Sequence, residues 1–292
     1  MKDDLTSSNV FGDSRRDQIF ALLEQTEDWC SGEAISEQLG ISRAAVAKHV
    51  AALRDAGHAI ESAPRRGYRL TVKKDCLSLK SMEGLLTTQV LGQKEWMYLE
   101  ETTSTNKVAS SWAMEGAEEG CLVLAERQNM GRGKKGSSWY SPPRTLQFSV
   151  VLQPRFQEKI TEALTMLGTV AVAEAILQVS ALRPVIKAPN DVLINRRKVC
   201  GVLVEVGLSA GEAVWAILGI GCNVNARSTD FPEELKTRAS SLLVEGNTPL
   251  SRQKILAVVL ERLEFWYEHL QRRETAFLEA RWQELKHENC AL

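Results

Sequence analysis

No two cysteines in this sequence form a C-x-x-C pair, and no H-E-x-x-H occurs. The six cysteines (Cys30, Cys76, Cys121, Cys200, Cys222, Cys290) are scattered and only four histidines are present. Neither a protein-bound metal nor a redox dithiol is indicated, and reduced thiols in a cytoplasmic setting are expected. With 8 Pro and 19 Gly in 292 residues, a fibrous repeat or a low-complexity chain is excluded. Long apolar runs are missing as well. The longest stretch without Asp, Glu, Lys or Arg is 14 residues, 213–226, short of the roughly 20 that a membrane helix needs. No membrane partner is expected, and residues 1–4 do not open a secretory signal. What remains is an ordinary globular composition, 44% hydrophobic and 25% charged, in a chain long enough for two or three domains of roughly 100 to 200 residues each.

Surplus charge of one sign is also lacking, since 36 basic residues face 37 acidic ones, a net of -1. That average hides a reversal. Residues 1–40 hold three basic residues against nine acidic, and residues 41–74 hold eight basic against two acidic. In the basic stretch Ser42 reads as an N-cap and Gly57 as a helix stop, with Val46, Val50 and Leu53 on one face. Residues 31–39 form an expected shorter helix ended by Gly40, so 40–42 is the turn of a helix-turn-helix, and residues 16–25 supply a packing helix in front. Residues 59–63 and 68–72 alternate as strands around Pro64-Arg65-Arg66-Gly67, the hairpin of a winged helix. Small residues would let the second helix enter a major groove while basic ones reach phosphates and base edges. The expected DNA-contacting residues are Ser42, Arg43, Ala44, Ala45, Lys48, His49, Arg65 and Arg66. One such unit reads a half-site, so a homodimer on double-stranded DNA is expected.

From about residue 96 the pattern alternates strands and helices. Strands are expected at 96–99, 121–126, 146–152, 185–194, 199–206 and 213–222, with helices at 79–86, 106–114 and 162–179 and further helices over 250–285. The organisation is then a DNA-binding domain over 1–74, a joint with a short helix over 75–95, and a larger α/β domain over 96–292. Gly131-Arg132-Gly133-Lys134-Lys135-Gly136 formally matches G-x-G-x-x-G. Trp, Tyr, Ser and two prolines follow instead of a helix, so the dinucleotide fingerprint is rejected, and Ser137 stands where a P-loop needs lysine. A glycine loop with three cations remains, suited to wrapping an anion with backbone N–H groups and charge. Lys198 precedes an apolar strand, and Gly201 would let a ligand approach that strand closely.

Six segments in order carry a resemblance: the winged helix, Ser104-Thr105-Asn106, the 131–136 loop followed by Trp139-Tyr140-Ser141-Pro142, Lys187-Ala188-Pro189-Asn190-Asp191, the Arg197–Glu205 stretch (R-K-x-x-G-x-L-V-E), and Gly219-Ile220-Gly221-Cys222-Asn223. Together they resemble the family of bifunctional biotin operon repressors and biotin protein ligases. The resemblance implies an α+β fold, a winged helix joined to a mixed α/β ligase domain. It also implies a reaction in which biotin and ATP, with Mg2+, give biotinoyl-5'-adenylate, which then acylates a lysine of the biotin carboxyl carrier protein of acetyl-CoA carboxylase. The adenylate would double as corepressor. By the same resemblance, Lys198, Arg132 and Asp191 are catalytic, and magnesium could sit near Asp191. Ser104, Thr105, Asn106, Gln128, Gly131, Arg132, Lys198, Gly201 and Leu203 would bind biotin. Gly133, Lys134, Trp139, Lys187, Asn190, Gly219 and Asn223 would bind the nucleotide. Three departures stand out: Ala188 replaces the family's usual tryptophan, Lys134 replaces an arginine, and the C-terminal SH3-like barrel of such relatives is expected to be absent. A biotin-responsive repressor without useful ligase rate, and a lipoate-type ligase fused to a DNA-binding domain, remain alternatives.

The basic helix and wing carry a salt prediction. On duplex operator DNA, log affinity should fall linearly with log salt, with a slope of about -0.9 per phosphate neutralised; a flat dependence in fluorescence titrations would exclude phosphate contacts.

Overall fold

In a computed structural model, the described residues are 15–26, 28–55, 59–72, 77, 79–82, 84–209 and 212–287. The chain divides into a unit Met1–Cys76 and a unit Leu77–Leu292. The smaller unit holds α1 (Arg15–Gln25), α2 (Gly32–Leu39), α3 (Arg43–Asp55), β1 (Ala59–Ala63) and β2 (Gly67–Val72). Ser31 caps α2 by accepting from Ala34 N, and Gly40, at φ 62°, ends it in the left-handed region that glycine enters without strain. Ser42 caps α3, its Oγ accepting from Ala45 N at 3.1 Å. Gly57, the expected stop of α3, lies outside the described residues. Ile19, Leu23, Ile35, Val46, Val50, Leu53 and Ile60 form the core of this unit. β1 and β2 pair antiparallel, and Cys30 and Tyr68 exchange backbone bonds of 2.8 Å in both directions. That close approach requires Gly67, because a Cβ there would lie 2.1 Å from the Cys30 carbonyl oxygen.

The larger unit opens with α4 (Leu79–Met82), shorter than the expected 79–86. Leu77, Met82 and Leu91 are buried in this unit's core, so much of the stretch read as a joint packs with the larger unit. Then come β3 (Trp96–Thr102), α5 (Thr105–Met114), β4 (Leu122–Gln128), β5 (Leu146–Leu152), α6 (Ile160–Val179), β6 (Val185–Lys187), β7 (Asp191–Ile194), β8 (Arg197–Ser209), β9 (Glu212–Cys222), α7 (Leu242–Gly246), α8 (Arg252–Gln271) and α9 (Thr275–His287). One mixed sheet runs in the order β3-β4-β5-β9-β8-β7-β6, with β3 and β4 parallel and the other neighbours antiparallel. The single strand expected at 185–194 is a tight hairpin instead. Lys187 pairs with Asp191 across Ala188, a cis Pro189 and Asn190, because proline offers no N–H to continue a ladder. A second tight turn, Asn195-Arg196, has both residues at positive φ (49° and 66°), the geometry that joins strands of the usual twist.

Alternation along the strands sends side chains to opposite faces. Leu122, Leu124, Val150, Leu152 and Leu218 join the core under α6 and α8, while Val123, Val151 and Ile217 pack with Ala109 and Ala113 of α5. α6 is long and apolar enough to cross a bilayer, yet most residues from Leu164 to Ile176 are buried within the unit. Gly168 lets it settle on the sheet, since a Cβ there would lie 2.8 Å from Val202 Cγ1. α8 is held at two points. Arg252, 2% exposed, grips the Glu126 carboxylate through bonds of 2.8 and 3.0 Å and the Thr145 carbonyl at 3.1 Å. Glu264 accepts the N–H groups of Gln89, Val90 and Leu91 at 2.5, 2.8 and 2.7 Å.

Removing one partner of a buried ion pair leaves a stranded charge. Arg252→Ala should therefore lower urea-unfolding stability by about 3–5 kcal/mol, and the double change Arg252→Met with Glu126→Leu should cost clearly less. Equal losses would mean that the pair stabilises through more than its charges.

Candidate active site and nucleic-acid face

On the sheet face that carries α5 lies a cavity of about 400 Å3. Its floor is backbone. Gly201 of β8 sits opposite Gly221 of β9, and Leu203 opposite Gly219, so the register gathers three glycines into one patch. Neighbours exclude a side chain at two of them and crowd the third: a Cβ on Gly219 would lie 1.9 Å from Asn106 Oδ1 and one on Gly221 2.6 Å from Trp139 Cε2, while one on Gly201 would lie 3.1 Å from Lys198 Nζ and 3.2 Å from Trp139 Cζ3. Trp139 therefore lies on a bare floor, its Nε1 buried and without a hydrogen-bond partner. An orphan donor of that kind invites a ligand acceptor.

One wall is uncharged and polar. Ser104 precedes α5 as its N-cap but makes no side-chain capping bond, so the hydroxyl is not spent on the helix. Thr105 N donates to Gln128 Oε1 at 2.8 Å, and Gln128 Nε2 donates to Gln147 Oε1 at 2.7 Å. Asn106, 4% exposed, donates from Nδ2 to Glu205 Oε2 at 2.9 Å and to the Leu203 carbonyl at 3.3 Å.

The opposite wall is charged. Lys198 Nζ lies 2.6 Å from Asp191 Oδ1 and 5.4 Å from the Trp139 ring centroid, within the range of a cation–π contact. Arg132 Nη1 pairs with Glu205 Oε1 at 2.8 Å. The glycine loop folds onto itself: Gly133 N donates to Ser137 O at 2.7 Å and Trp139 N to Gly131 O at 2.8 Å. Lys134 is exposed at its rim. Lys198 and Arg132 thus face carboxylates of their own chain, and an incoming anion would exchange with them. The Cys200 thiol, on the other face of the sheet, has its pKa pushed well up, mainly by burial, which keeps it a packing group.

Of the residues expected to bind ligands, Ser104, Thr105, Asn106, Gln128, Arg132, Gly133, Lys134, Trp139, Asn190, Asp191, Lys198, Gly201, Leu203 and Gly219 all line this cavity. Lys187 and Asn223 do not; they line an adjoining pocket of about 260 Å3 that shares Ser138, Trp139, Asp191 and Lys198 with the first. Gly131 lines neither, being set against the Trp139 backbone, where a Cβ would lie 2.6 Å from its carbonyl oxygen. Asn190 and Asn223 spend their amide N–H groups on the Val202 and Ser240 carbonyls, each at 2.9 Å, so both shape the strand ends. The adjoining pocket also holds Arg196, Arg238, Tyr140 and Phe231, none assigned from sequence. Glu205 was legible as the last letter of a motif, but its two partners were not. Arg238 and Phe231 come from an irregular stretch with no spacing signal. Among the described residues no group of three His, Cys, Asp or Glu could hold a metal.

In the smaller unit, Arg43, Ala44 and Lys48 are exposed along α3, Ala45 and His49 half-buried. Ser42 is occupied as the cap. Arg65 stands exposed at the hairpin tip with φ 65°. Arg66 is exposed beside it, 4.7 Å over the Trp29 ring and 3.6 Å from Asp28. A cleft between α2, α3 and the hairpin is lined by Arg43, Arg54 and Arg65. Arg54 Nε donates to the Ile60 carbonyl at 2.8 Å, tying α3 to the hairpin.

Residues 98–225 match the biotin/lipoate A/B protein ligase family, and residues 15–69 match an HTH domain. The chain is 37% identical over 247 residues to the bifunctional ligase/repressor BirA of Bacillus spizizenii, which covers 84% of this chain and 76% of that protein. It is 29% identical over 272 residues to the bifunctional ligase/repressor BirA of Escherichia coli, 92% of this chain and 81% of that one. Among solved structures, the biotin protein ligase from Aquifex aeolicus in complex with biotin and ATP superposes with a TM-score of 0.59 at 30% identity, covering 66% of this chain and 79% of that chain. With more than two thirds of the Bacillus protein covered at that identity, this chain belongs to the family of bifunctional ligase/repressors built on a biotin protein ligase domain.

Proposed function

We propose that the chain is an ATP-dependent biotin protein ligase of the cytoplasm that also represses transcription from a biotin operon. One observation carries the ligase reading: Lys198 lines both pockets, where the uncharged polar wall and the cation-rich annex meet. Biotin fits the first, its ureido ring toward Ser104, Thr105 and Gln128 and its carboxylate toward Lys198. The nucleotide fits the second, among Lys187, Arg196 and Arg238. In the first step a biotin carboxylate oxygen attacks the α-phosphorus of ATP, the bond to the β-phosphate oxygen breaks, and pyrophosphate leaves. The obstacle is two anions meeting. A unit cation at 4 Å offsets about 4 kcal/mol at an effective dielectric of 20, and Lys198, released from Asp191, supplies it between them. Arg132, exchanging Glu205 for the adenylate, closes the glycine loop over the mixed anhydride and keeps water away. In the second step the neutral ε-amine of a lysine on the biotin carboxyl carrier protein attacks the acyl carbon, the anhydride C–O bond breaks, AMP leaves, and the nitrogen releases one proton to solvent. Asp191, freed by the first step, faces that incoming amine. Magnesium would be brought by the phosphate oxygens, since among the described residues Asp191 is the only carboxylate lining these pockets, and it is paired.

The repressor reading rests on the exposed Arg43, Lys48 and Arg65 of the N-terminal unit. Biotinoyl-adenylate would act as corepressor if the homodimer binds it more tightly than the monomer does, a reciprocal linkage.

With ATP, magnesium, radiolabelled biotin and the carrier domain, the protein should form labelled adenylate and labelled carrier. Adenylate without transfer would leave only the sensor role, and uptake of lipoate instead would reassign the substrate. Lys198→Ala should lower adenylate formation by at least about 100-fold, the scale of losing one preorganised charge contact, while the circular dichroism spectrum stays unchanged. Sedimentation should show tighter dimerisation with the adenylate than without it; identical constants would remove the corepressor link.

A further inference from the structure

Glu205 is half-buried on β8, and each of its oxygens meets a different residue of the site, Oε1 facing Arg132 and Oε2 facing Asn106. A carboxylate only accepts hydrogen bonds. The Asn106 amide is thereby fixed, nitrogen toward Glu205 and the Leu203 carbonyl, oxygen toward Ser149 Oγ at 2.7 Å. Ser149, fully buried, has one hydroxyl hydrogen, and Asn106 Oδ1 takes it. Toward Thr105 Oγ1, 2.8 Å away, Ser149 can then only accept, so Thr105 donates its own hydrogen there. The Thr105 hydroxyl is left with lone pairs alone. Its 3.3 Å separation from Gln128 Oε1 carries no hydrogen, and Gln128 Oε1 is held by the shorter bond from Thr105 N. The far end of the relay is pinned separately. Gln147 Nε2 donates to the Glu126 carbonyl at 3.3 Å, which turns Gln147 Oε1 toward Gln128 Nε2.

We propose that Glu205 is a positioning and specificity-determining residue: through Asn106 and Ser149 its charge fixes the Thr105 hydroxyl as an acceptor, so the cavity selects a ligand head that presents an N–H group. The same carboxylate holds Arg132 at the cavity mouth. The proposal rests on the biotin reading, because the ureido ring supplies such N–H groups. Glutamine at 205 has one acceptor where its two neighbours both donate, so either Arg132 is released or the Asn106 amide turns over and the relay reverses. Ser149→Ala cuts the relay without touching the Glu205–Arg132 pair.

The test is binding of biotin and of the two cyclic carbamates in which one or the other ureido N–H is replaced by oxygen, by titration calorimetry. Wild-type protein should prefer biotin over at least one carbamate by about 10-fold or more, the scale of one buried hydrogen bond left unpaired. In both Glu205→Gln and Ser149→Ala that preference should fall to about 3-fold or less, a ratio that a general loss of packing does not move. Should Glu205→Gln fail to fold, Ser149→Ala decides alone. An unchanged preference in a folded variant overturns the proposal. Wild-type protein that binds none of the three ligands would instead overturn the biotin reading beneath it.

Discussion

The site depends on a patch of backbone stripped of side chains. In a mixed sheet packed on both faces, most strand positions carry bulk, and bulk is what fills a core. Here the β8–β9 register sets Gly201 against Gly221 and Gly219 beside them. The space they free is taken by three side chains: Trp139, Lys198 and Asn106 all touch positions where a Cβ would collide or crowd. A one-residue slip between these strands would send the glycines to the α6 face and raise hydrophobic side chains into the cavity. The apolar packing of α6 and α8 beneath the sheet, with Arg252 and Glu264 holding α8 in place, fixes that register from below.

Charge in the cavity follows a second constraint. Cations strong enough to bring two anions together cannot stand bare in a half-buried cleft, because desolvation is costly. Each of the two best-placed cations has a carboxylate of the same chain, Asp191 for Lys198 and Glu205 for Arg132. An anionic ligand would then exchange counter-ions with these cations rather than neutralise free charge, and only the differential interaction would contribute to affinity. The two carboxylates are not equivalent. Asp191 pairs with a residue that faces both pockets, whereas Glu205 also fixes an amide within a buried relay.

The basic segment of the N-terminal unit is sorted by packing in the same way. Eight basic residues lie in 41–74, but they do not form one uniform surface. Arg54 is turned to a strand carbonyl, and Arg66 and Arg69 stack about Trp29. Arg54 ties α3 to the hairpin, while Arg43, Lys48, Arg65 and Arg66 are all exposed.

Much of this was legible in the chain of letters. Gly40 and Ser42 announce the helix-turn-helix because caps and left-handed stops are local chemistry, and the glycine loop, Lys198 and Gly201 stand in motifs whose order carries the family. Strand positions 146–152 and 213–222 follow from apolar content alone. The splitting of 185–194 into a hairpin was not foreseen, because cross-strand pairing around Pro189 outweighs a continuous apolar pattern. Nor could sequence bring together Glu205, Ser149, Asn106 and Thr105, or Arg238 and Phe231 with Lys187. Their partners lie on different strands and segments, and only the packed sheet sets the distances that decide which oxygen accepts and which must donate. The sequence by itself determined the kinds of element, the two-part organisation and the residue types available for anion chemistry. Tertiary structure alone decided which cations are spent on their own chain and which hydroxyl is left as an acceptor, because hydrogen-bond polarity and ion pairing depend on contacts between residues far apart in the chain.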